Sequence, residues 1–354
     1  EVLVITTNPF GRHLDMQPNL IRIPGLELKK LYGYRLSTFF SAKVYQQVKK
    51  WQPDIIHIHT DAGIGIFGKI VAFFLKVPTV VTYHTMYEDY THYAGFLKGL
   101  ANRVVRQFSK SIAEQCTEFI APSSKTKDRI RSYGVNRFIN IVPTGVDFSR
   151  FDLQQLDAQR LHALRQQWIK PNENIILSLG RVAKEKSIDV LIRGFSHLPK
   201  DPLKPLRLLI VGDGPDRPEL QRLVISLGLE DKVSFVGAVP IQDVPYYYHL
   251  GDVFASASVT ETQGLTFMEA MASQRMILCR YDENLAGLIQ HQQSGFIFTD
   301  AEDFARQVLS IFALTPTKQQ AILTNMNQVI QPYNLSSFYS NLLEVYQRAQ
   351  RQYW

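Results

Sequence analysis

The stretch NIILSLGRVAKEKSIDVL, residues 174–191, contains a complete strand-turn-helix unit. An unbroken apolar run ends at Leu179, Gly180 allows close backbone approach, and a helix is predicted to begin near Ser187. Arg181, Lys184 and Lys186 crowd the connection. Cations at a strand end, beside the unpaired N–H groups of a helix start, make an anion site. A solvated basic loop is the plainer alternative. Strands that are apolar without alternation are buried on both faces, as in parallel sheets.

The same alternation recurs on either side. EVLVIT (1–6), DIIHIH (54–59), TVVTYH (79–84) and EFIAP (118–122) read as strands, with helical segments over 36–50 and 96–115. RLLIVGDG (207–214), VSFVG (233–237), DVFASAS (252–258) and RMILCR (275–280) form a second series. The expected fold is α/β, with two doubly wound, Rossmann-like domains facing each other across a cleft. IVPTGVDFSRFD (141–152), with Pro143 and Gly145, reads as the crossing between them. The expected division is 1–144, 145–335 and a terminal helix 336–354. That helix carries an apolar stripe of Phe338, Leu342, Leu343, Tyr346 and Tyr353. Ligands of such sheets bind beyond the carboxyl ends of the strands.

A chain of 354 residues is too long for one ordinary core, and 45% hydrophobic with 20% charged residues describes a globular protein. Cys116 and Cys279 fit no metal spacing, and usage this sparse points to a reducing compartment. The most apolar stretch, IGIFGKIVAFFLKVPTVV, is cut by Lys69 and Lys76, so no membrane span is predicted. Residues 1–150 carry 20 Lys and Arg against 11 Asp and Glu, a net of +9 where the whole chain has +7. A basic half beside a near-neutral one favours an anionic surface as partner of the first domain. The segment GFLKGLANRVVRQFSKSIAEQ (95–115) sets Phe96, Leu97, Leu100, Val104 and Phe108 among Lys98, Arg103, Arg106 and Lys110. This mixture suits a helix lying in a lipid headgroup layer.

TETQGLTFMEAM (260–271) places Glu261 and Glu269 on either side of Gly264. Thr266-x-x-Glu269 matches a helix capping box, a purely structural reading. In one continuous helix the two carboxylates would lie roughly 12 Å apart, beyond the roughly 5–9.5 Å of a glycosidase pair. With Glu261 in the loop before the helix, both acids can reach hydroxyls on two parts of one polyol ligand. Gly212 and Gly214 end another strand, but Arg217 occupies the third glycine position of a dinucleotide fingerprint, so a nicotinamide enzyme is not expected. His84 directly follows a strand, and Tyr87, Glu88, Asp89, Tyr90, His92 and Tyr93 crowd the next segment. That segment suits a hydroxylated acceptor or a membrane interface. His57 and His59 share a strand face, without a third metal ligand in view. Thr60 or Asp61 reads as a helix cap.

Gly180, Arg181 and Lys186, the Glu261-x7-Glu269 pair and Tyr83–Thr85, in this order and spacing, resemble the retaining GT-B glycosyltransferases of family 4. The resemblance covers nearly the whole chain. YHTMYEDYTHY, IVPTGVD and ETQGLTFMEAMA are similar to the bacterial diacylglycerol glucosyltransferases, which make membrane glycolipids and lipoteichoic-acid anchors from UDP-glucose. The resemblance implies that Arg181 and Lys186 hold the donor diphosphate and that Glu269 accepts from ribose hydroxyls. Glu261 would contact the transferred sugar, and the amides near Gly264, Leu265 and Thr266 would meet the phosphates. His84 would touch the sugar from the other domain, Val236 and Gly237 would lie near the nucleobase, and Asp61, Tyr87, Glu88, Asp89 and Tyr90 would face the acceptor. It implies no required cofactor or metal, with Mg at most stimulatory. The partners would be a nucleotide sugar, a lipid acceptor and an anionic membrane on the cytoplasmic side, with no nucleic acid. Two features depart from the family: a first βα unit before EVLVIT is missing, and ASQRMI (272–277) replaces a Gly-x-Pro turn. Another acceptor, sugar-nucleotide epimerisation, or a non-catalytic basic membrane- or nucleic-acid-binding module are the rival readings.

Overall fold

A computed structural model describes residues 1–9, 13–28, 34–60, 63–84, 98–199, 205–261 and 263–353. The chain forms two compact units, Gly145–Ser337 and Glu1–Thr144 together with Phe338–Trp354.

Among its described residues the first unit holds nine short strands: β1 (Val4–Thr7), β2 (Asp15–Gln17), β3 (Leu20–Ile23), β4 (Gly25–Leu28), β5 (Tyr34–Ser37), β6 (Ile56–Ile58), β7 (Thr79–Thr82), β8 (Glu118–Ala121) and β9 (Asn140–Ile141). Its helices are α1 (Ala42–Trp51), α2 (Ile64–Leu75), α3 (Lys98–Glu114) and α4 (Ser124–Ser132). Strands β6 to β9 form a parallel sheet in sequence order, and β7 and β8 are buried along their whole length. This is the layout expected of continuous apolar strands covered on both faces. Two elements depart from expectation. The helix expected over 36–50 starts only at Ala42, because Tyr34–Ser37 pairs antiparallel with Gly25–Leu28. Residues 15–23 form an antiparallel β2–β3 pair whose β3 joins β1 in parallel.

The second unit runs α5 (Ala158–Trp168), β10 (Asn174–Leu179), α6 (Ile188–Ser196), β11 (Leu206–Val211), α7 (Arg217–Ser226), β12 (Val233–Gly237), α8 (Val244–Leu250), β13 (Val253–Ser256), α9 (Leu265–Ala272), β14 (Met276–Arg280), β15 (Phe296–Phe298), α10 (Ala301–Phe312) and α11 (Pro316–Ile330). Its six described strands are parallel, in the order β12-β11-β10-β13-β14-β15. Ile175–Leu177, Leu208–Val211, Val253–Ala255 and Ile277–Leu278 are buried through the centre of the sheet. The strand order reverses between β10 and β13, the switch point where open α/β sheets leave a crevice for ligand. After α9, Gln274 adopts the left-handed conformation, φ 59°, and its side-chain amide donates to Asn327 Oδ1 at 2.8 Å. The turn therefore forms without a glycine at Gln274.

The final helix, α12 (Leu335–Tyr353), belongs to the first unit from Phe338 on. Val345 and Ala349 bury against Val80, Ile120 and Val142. Arg348 and Gln352 donate to Glu118 Oε1 at 2.9 and 3.0 Å, while Asn140 donates to Oε2 at 2.6 Å. Glu118 is a buried carboxylate, so these donors offset a desolvation cost that would otherwise be several kcal/mol in order of magnitude.

Candidate active site

Three strand ends, those of β10, β11 and β12, stand together on one side of the switch point. Gly180 N–H donates to Val211 O, and Gly212 N–H donates to Gly237 O at 2.8 Å. A Cβ on Gly212, whose φ is +129°, would lie 1.8 Å from Gly180 O, so the crossing admits only glycine there. A Cβ on Gly180 itself would meet nothing within 4 Å. The tight packing thus sits at Gly212, and the space above Gly180 is open to a ligand.

Beyond Gly180 the chain makes a 3₁₀ turn, Lys184–Lys186, and enters α6 through Ser187. The three cations of this turn part company. Arg181 Nη2 pairs with Glu185 Oε1, whose side chain is 8% exposed. Lys186 Nζ donates to Glu261 Oε1 at 2.7 Å, and the Glu261 side chain is only 12% exposed. Lys184 turns outward to Glu219, 3.9 Å away, where both side chains are exposed. Two of the cations, each paired with a largely buried carboxylate, therefore stay at the strand end.

Glu261 lies in the loop between β13 and α9, and Gly264 turns that loop into the helix with φ +76°. Phe267 and Met268 give the first helical hydrogen bonds, both to Gly264 O, at 3.1 and 3.3 Å. The amides of Leu265 and Thr266 precede that ladder and face out of the helix start. The helix begins two residues earlier than a Thr266 cap requires, and Gly264 offers no side chain, so the capping box does not form. Glu269 instead accepts at Oε2 from the Tyr248 hydroxyl at 2.8 Å. The same hydroxyl reaches Thr266 O at 3.1 Å. Burial raises the Glu269 carboxyl pKa above the usual carboxylate range, while the Tyr248 bond opposes that shift. Burial and then Glu269 push the Tyr248 phenol well above its ordinary value.

At the end of β12, Val236 is half-buried, and Gly237 has φ +90° with Arg217 Nη1 3.3 Å from where its Cβ would stand. Arg217 lies 6.0 Å over the Phe235 ring and pairs with Asp213 at 3.2 Å. Val236 and Gly237 thus belong to the same rim as Gly180, joined to it through Gly212.

In the first unit, His84 follows β7 and shares a hydrogen bond with His59, Nε2 to Nδ1, at 3.0 Å. The two rings stack at 5.3 Å, and His57 lies 3.9 Å from His59. Both His57 nitrogens are engaged, Nδ1 with the Tyr346 hydroxyl and Nε2 with Thr82 Oγ1, each at 2.7 Å. Burial, then the neighbouring His59 and His84, depress His57 to about 2. Burial and His84 hold His59 at about 4, and burial lowers His84 as well. Asp61, Tyr87, Glu88, Asp89 and Tyr90 lie outside the described residues. On α3, Ser109, Ile112 and Ala113 are buried, whereas Arg103, Val104, Arg106 and Phe108 are exposed. Lys110 pairs with Glu114 at 3.7 Å, and the Lys98 side chain lies outside the described ones.

Residues 1–150 match the model described as Glycosyltransferase Family 4, and residues 162–326 match Glycosyl transferases group 1. The alpha-monoglucosyldiacylglycerol synthase of Acholeplasma laidlawii is 33% identical over 323 residues, covering 88% of this chain and 80% of that protein. The chain is a family 4 glycosyltransferase. The enzyme is also 30% identical over 326 residues to the alpha-monoglucosyldiacylglycerol synthase of Streptococcus pneumoniae, covering 91% of this chain and 73% of that one. Its fold is GT-B. Sucrose-phosphate synthase from Thermosynechococcus elongatus superposes with a TM-score of 0.75 over 98% of this chain and 88% of that one, at 20% identity. Anabaena Alr3699/HepE in complex with UDP-glucose gives 0.74 over 93% and 86%, at 19% identity.

Two residues that hold the candidate site's side chains have no signal in the sequence reading. Glu185 stands between cations in the turn and reads as a solvent-facing charge, yet it buries against Arg181. Tyr248 is the third of three consecutive tyrosines on α8, and only the helix phase selects it for Glu269.

Proposed function

We propose that this glycosyltransferase moves a glucosyl residue from UDP-glucose to 1,2-diacylglycerol with retention, giving an α-glucosyl-diacylglycerol. The observation that carries the reading is the identity with two alpha-monoglucosyldiacylglycerol synthases over most of the chain. In this reading Arg181, Lys186 and the Leu265 and Thr266 amides receive the diphosphate. They stabilise the charge that grows as the glycosidic bond breaks. Glu269, held by Tyr248, accepts from the ribose hydroxyls, and Glu261 accepts from hydroxyls of the glucose. Val236 and Gly237 flank the base, and His84 contacts the sugar. Neither carboxylate serves as a nucleophile: Glu261 is committed to Lys186 and Glu269 to Tyr248. The leaving phosphate takes the acceptor's hydroxyl proton, and fixed cations neutralise the diphosphate, so the reading calls for no cofactor.

In this reading the enzyme works peripherally, on the inner face of the membrane that holds its lipid acceptor. Among the described residues no helix is long and apolar enough to cross one. The exposed Arg103, Val104, Arg106 and Phe108 of α3 support contact with an anionic headgroup layer. A panel of radiolabelled sugar nucleotides against diacylglycerol and glucosyl-diacylglycerol in mixed micelles tests the substrates. UDP-glucose with diacylglycerol is expected to give a lipid product whose anomeric proton has the small α coupling in NMR. A β product, or no transfer to diacylglycerol, refutes the reading.

A further inference from the structure

Three histidines gather at the ends of two paired strands. His57 of β6 stands opposite Val80 of β7, and strand alternation sets Thr82 on the same face, the one that α12 covers at Val80. His59 directly follows β6, and His84 lies just beyond β7. His57 is the fixed member of the group. Its Nδ1 bonds to the Tyr346 hydroxyl of α12 and its Nε2 to Thr82 Oγ1, each at 2.7 Å, so the ring is clamped at both ends. The His59 ring lies against it at 3.9 Å, and His59 Nδ1 is committed to His84 Nε2, 3.0 Å away.

In the proposed reaction only His84 has a role, yet its Nε2 is already taken. A neutral imidazole has one donor nitrogen and one acceptor. Burial, helped at His57 and His59 by the neighbouring rings, lowers all three pKa values, so the three rings are neutral near neutral pH. One proton therefore lies between His59 Nδ1 and His84 Nε2. The Nε2–H form is the commoner tautomer of a free neutral side chain, and only donation from His84 to His59 lets both rings keep it. The bond made by one ring nitrogen decides what the other can do. With Nε2–H spent on His59, His84 Nδ1 is left with a lone pair.

We infer that His59 is a positioning residue of the transfer: it accepts from His84 Nε2–H and so fixes His84 as an acceptor, through Nδ1, for a hydroxyl of the transferred sugar. The inference rests on the reading that His84 contacts that sugar. It adds what the contact requires, a sugar hydroxyl that donates and a neighbouring ring that forbids the opposite tautomer. His57, clamped by Tyr346 and Thr82, backs the His59 ring.

Nitrogen NMR of the full chain labelled at its histidines reads the tautomers directly, with His59→Gln and His84→Gln assigning the signals. His84 in the parent is expected to show a protonated Nε2 and a bare Nδ1. A protonated Nδ1 there overturns the inference. Kinetics with UDP-glucose and diacylglycerol then compare the parent with His59→Leu, His59→Asn, His84→Ala and His59→Leu combined with His84→Ala. His59 is exposed, so its replacement leaves the core intact, and thermal unfolding checks this. Loss of one neutral hydrogen bond in His59→Leu should lower kcat/KM by about fivefold to about tenfold. His59→Asn, which returns an acceptor oxygen near the Nδ1 position, should recover to within twofold of the parent. UDP, which lacks the sugar, should bind the parent and His59→Leu equally in calorimetry. In the His84→Ala background the His59 change should cost nothing further. Equal kinetics of parent and His59→Leu, equal losses for UDP and UDP-glucose, no recovery in His59→Asn, or full additivity with His84→Ala each overturn the inference and leave the proposed function standing. A parent that transfers no glucose from UDP-glucose overturns the proposed function, and the His59 role with it.

Discussion

Replacing Tyr248 by Phe should weaken the donor site without touching a group that meets the donor. The ring stays packed among Phe151 and Phe254, 5.8 and 5.6 Å away, so the change removes only the hydroxyl. That hydroxyl gives Glu269 a 2.8 Å bond in a buried setting. A hydrogen bond to a charged group is worth about 1.5–3 kcal/mol, which corresponds to about tenfold to about a hundredfold in affinity. The donor's ribose hydroxyls recover part of the loss by bonding the same oxygen, so the rise in donor KM should sit nearer the lower bound. The Tyr248 bond also opposes the upward shift that burial imposes on Glu269. Without it the carboxyl protonates at higher pH, and a protonated carboxyl accepts less well. The acid limb of the donor-KM profile should therefore move to higher pH in Tyr248→Phe. Steady-state kinetics from about pH 5 to about pH 8, on the parent, Tyr248→Phe, Glu269→Ala and the double variant, measures both effects. In the double variant the Tyr248 change should cost almost nothing further. A donor KM within twofold of the parent, or full additivity with Glu269→Ala, refutes the coupling.

Lys186→Ala and Arg181→Ala should lower kcat more than they raise donor KM, since they act on charge that develops during bond breaking. A kcat/KM for Lys186→Ala within twofold of the parent would remove its phosphate role. His57 resists protonation in the fold down to about pH 2, whereas in the unfolded chain it takes up a proton below about 6.5. Unfolding therefore becomes easier as pH falls below about 6.5, by at most about 1.4 kcal/mol per pH unit from this group. Denaturant titrations at a series of pH values should show that slope flattened in His57→Gln, and an unchanged slope counts against it. Converting Arg103 and Arg106 to Glu should cut flotation with anionic vesicles, and unaltered flotation would remove α3 from the membrane-facing surface.

How much of this was legible in sequence depended on the range of the forces involved. The β10–Gly180–Arg181 unit could be read because a doubly buried parallel strand must be apolar at every position, a local signature. Strands β2 to β5 escaped because one face of a short antiparallel pair meets water, so DMQ and LIRI show no continuous run. The Thr266-x-x-Glu269 pattern misled because a capping box is a local rule, whereas Gly264 starts the helix earlier in its left-handed conformation and Tyr248, 21 positions away, holds the acid. The His57–Tyr346 bond spans 289 positions, and no local pattern announces it. Both acids were found by spacing and resemblance, but their holders, Lys186 for Glu261 and Tyr248 for Glu269, emerged only with the folded chain.

The first unit is assembled from two distant parts of the chain, and this sets an order of synthesis. Residues 145–337 are contiguous, so that body can close on the ribosome as soon as it has emerged. Residues 1–144 have been made by then but must wait, because Val345, Arg348 and Ala349 supply part of their apolar cover and the cation for buried Glu118. During that interval Val80 and Ile120 lack the cover of Val345 and Ala349, and Glu118 keeps Asn140 without Arg348 or Gln352. The earlier-made body is thus the later to mature, and a nascent chain stalled before residue 338 should present a folded second unit behind a protease-sensitive first one.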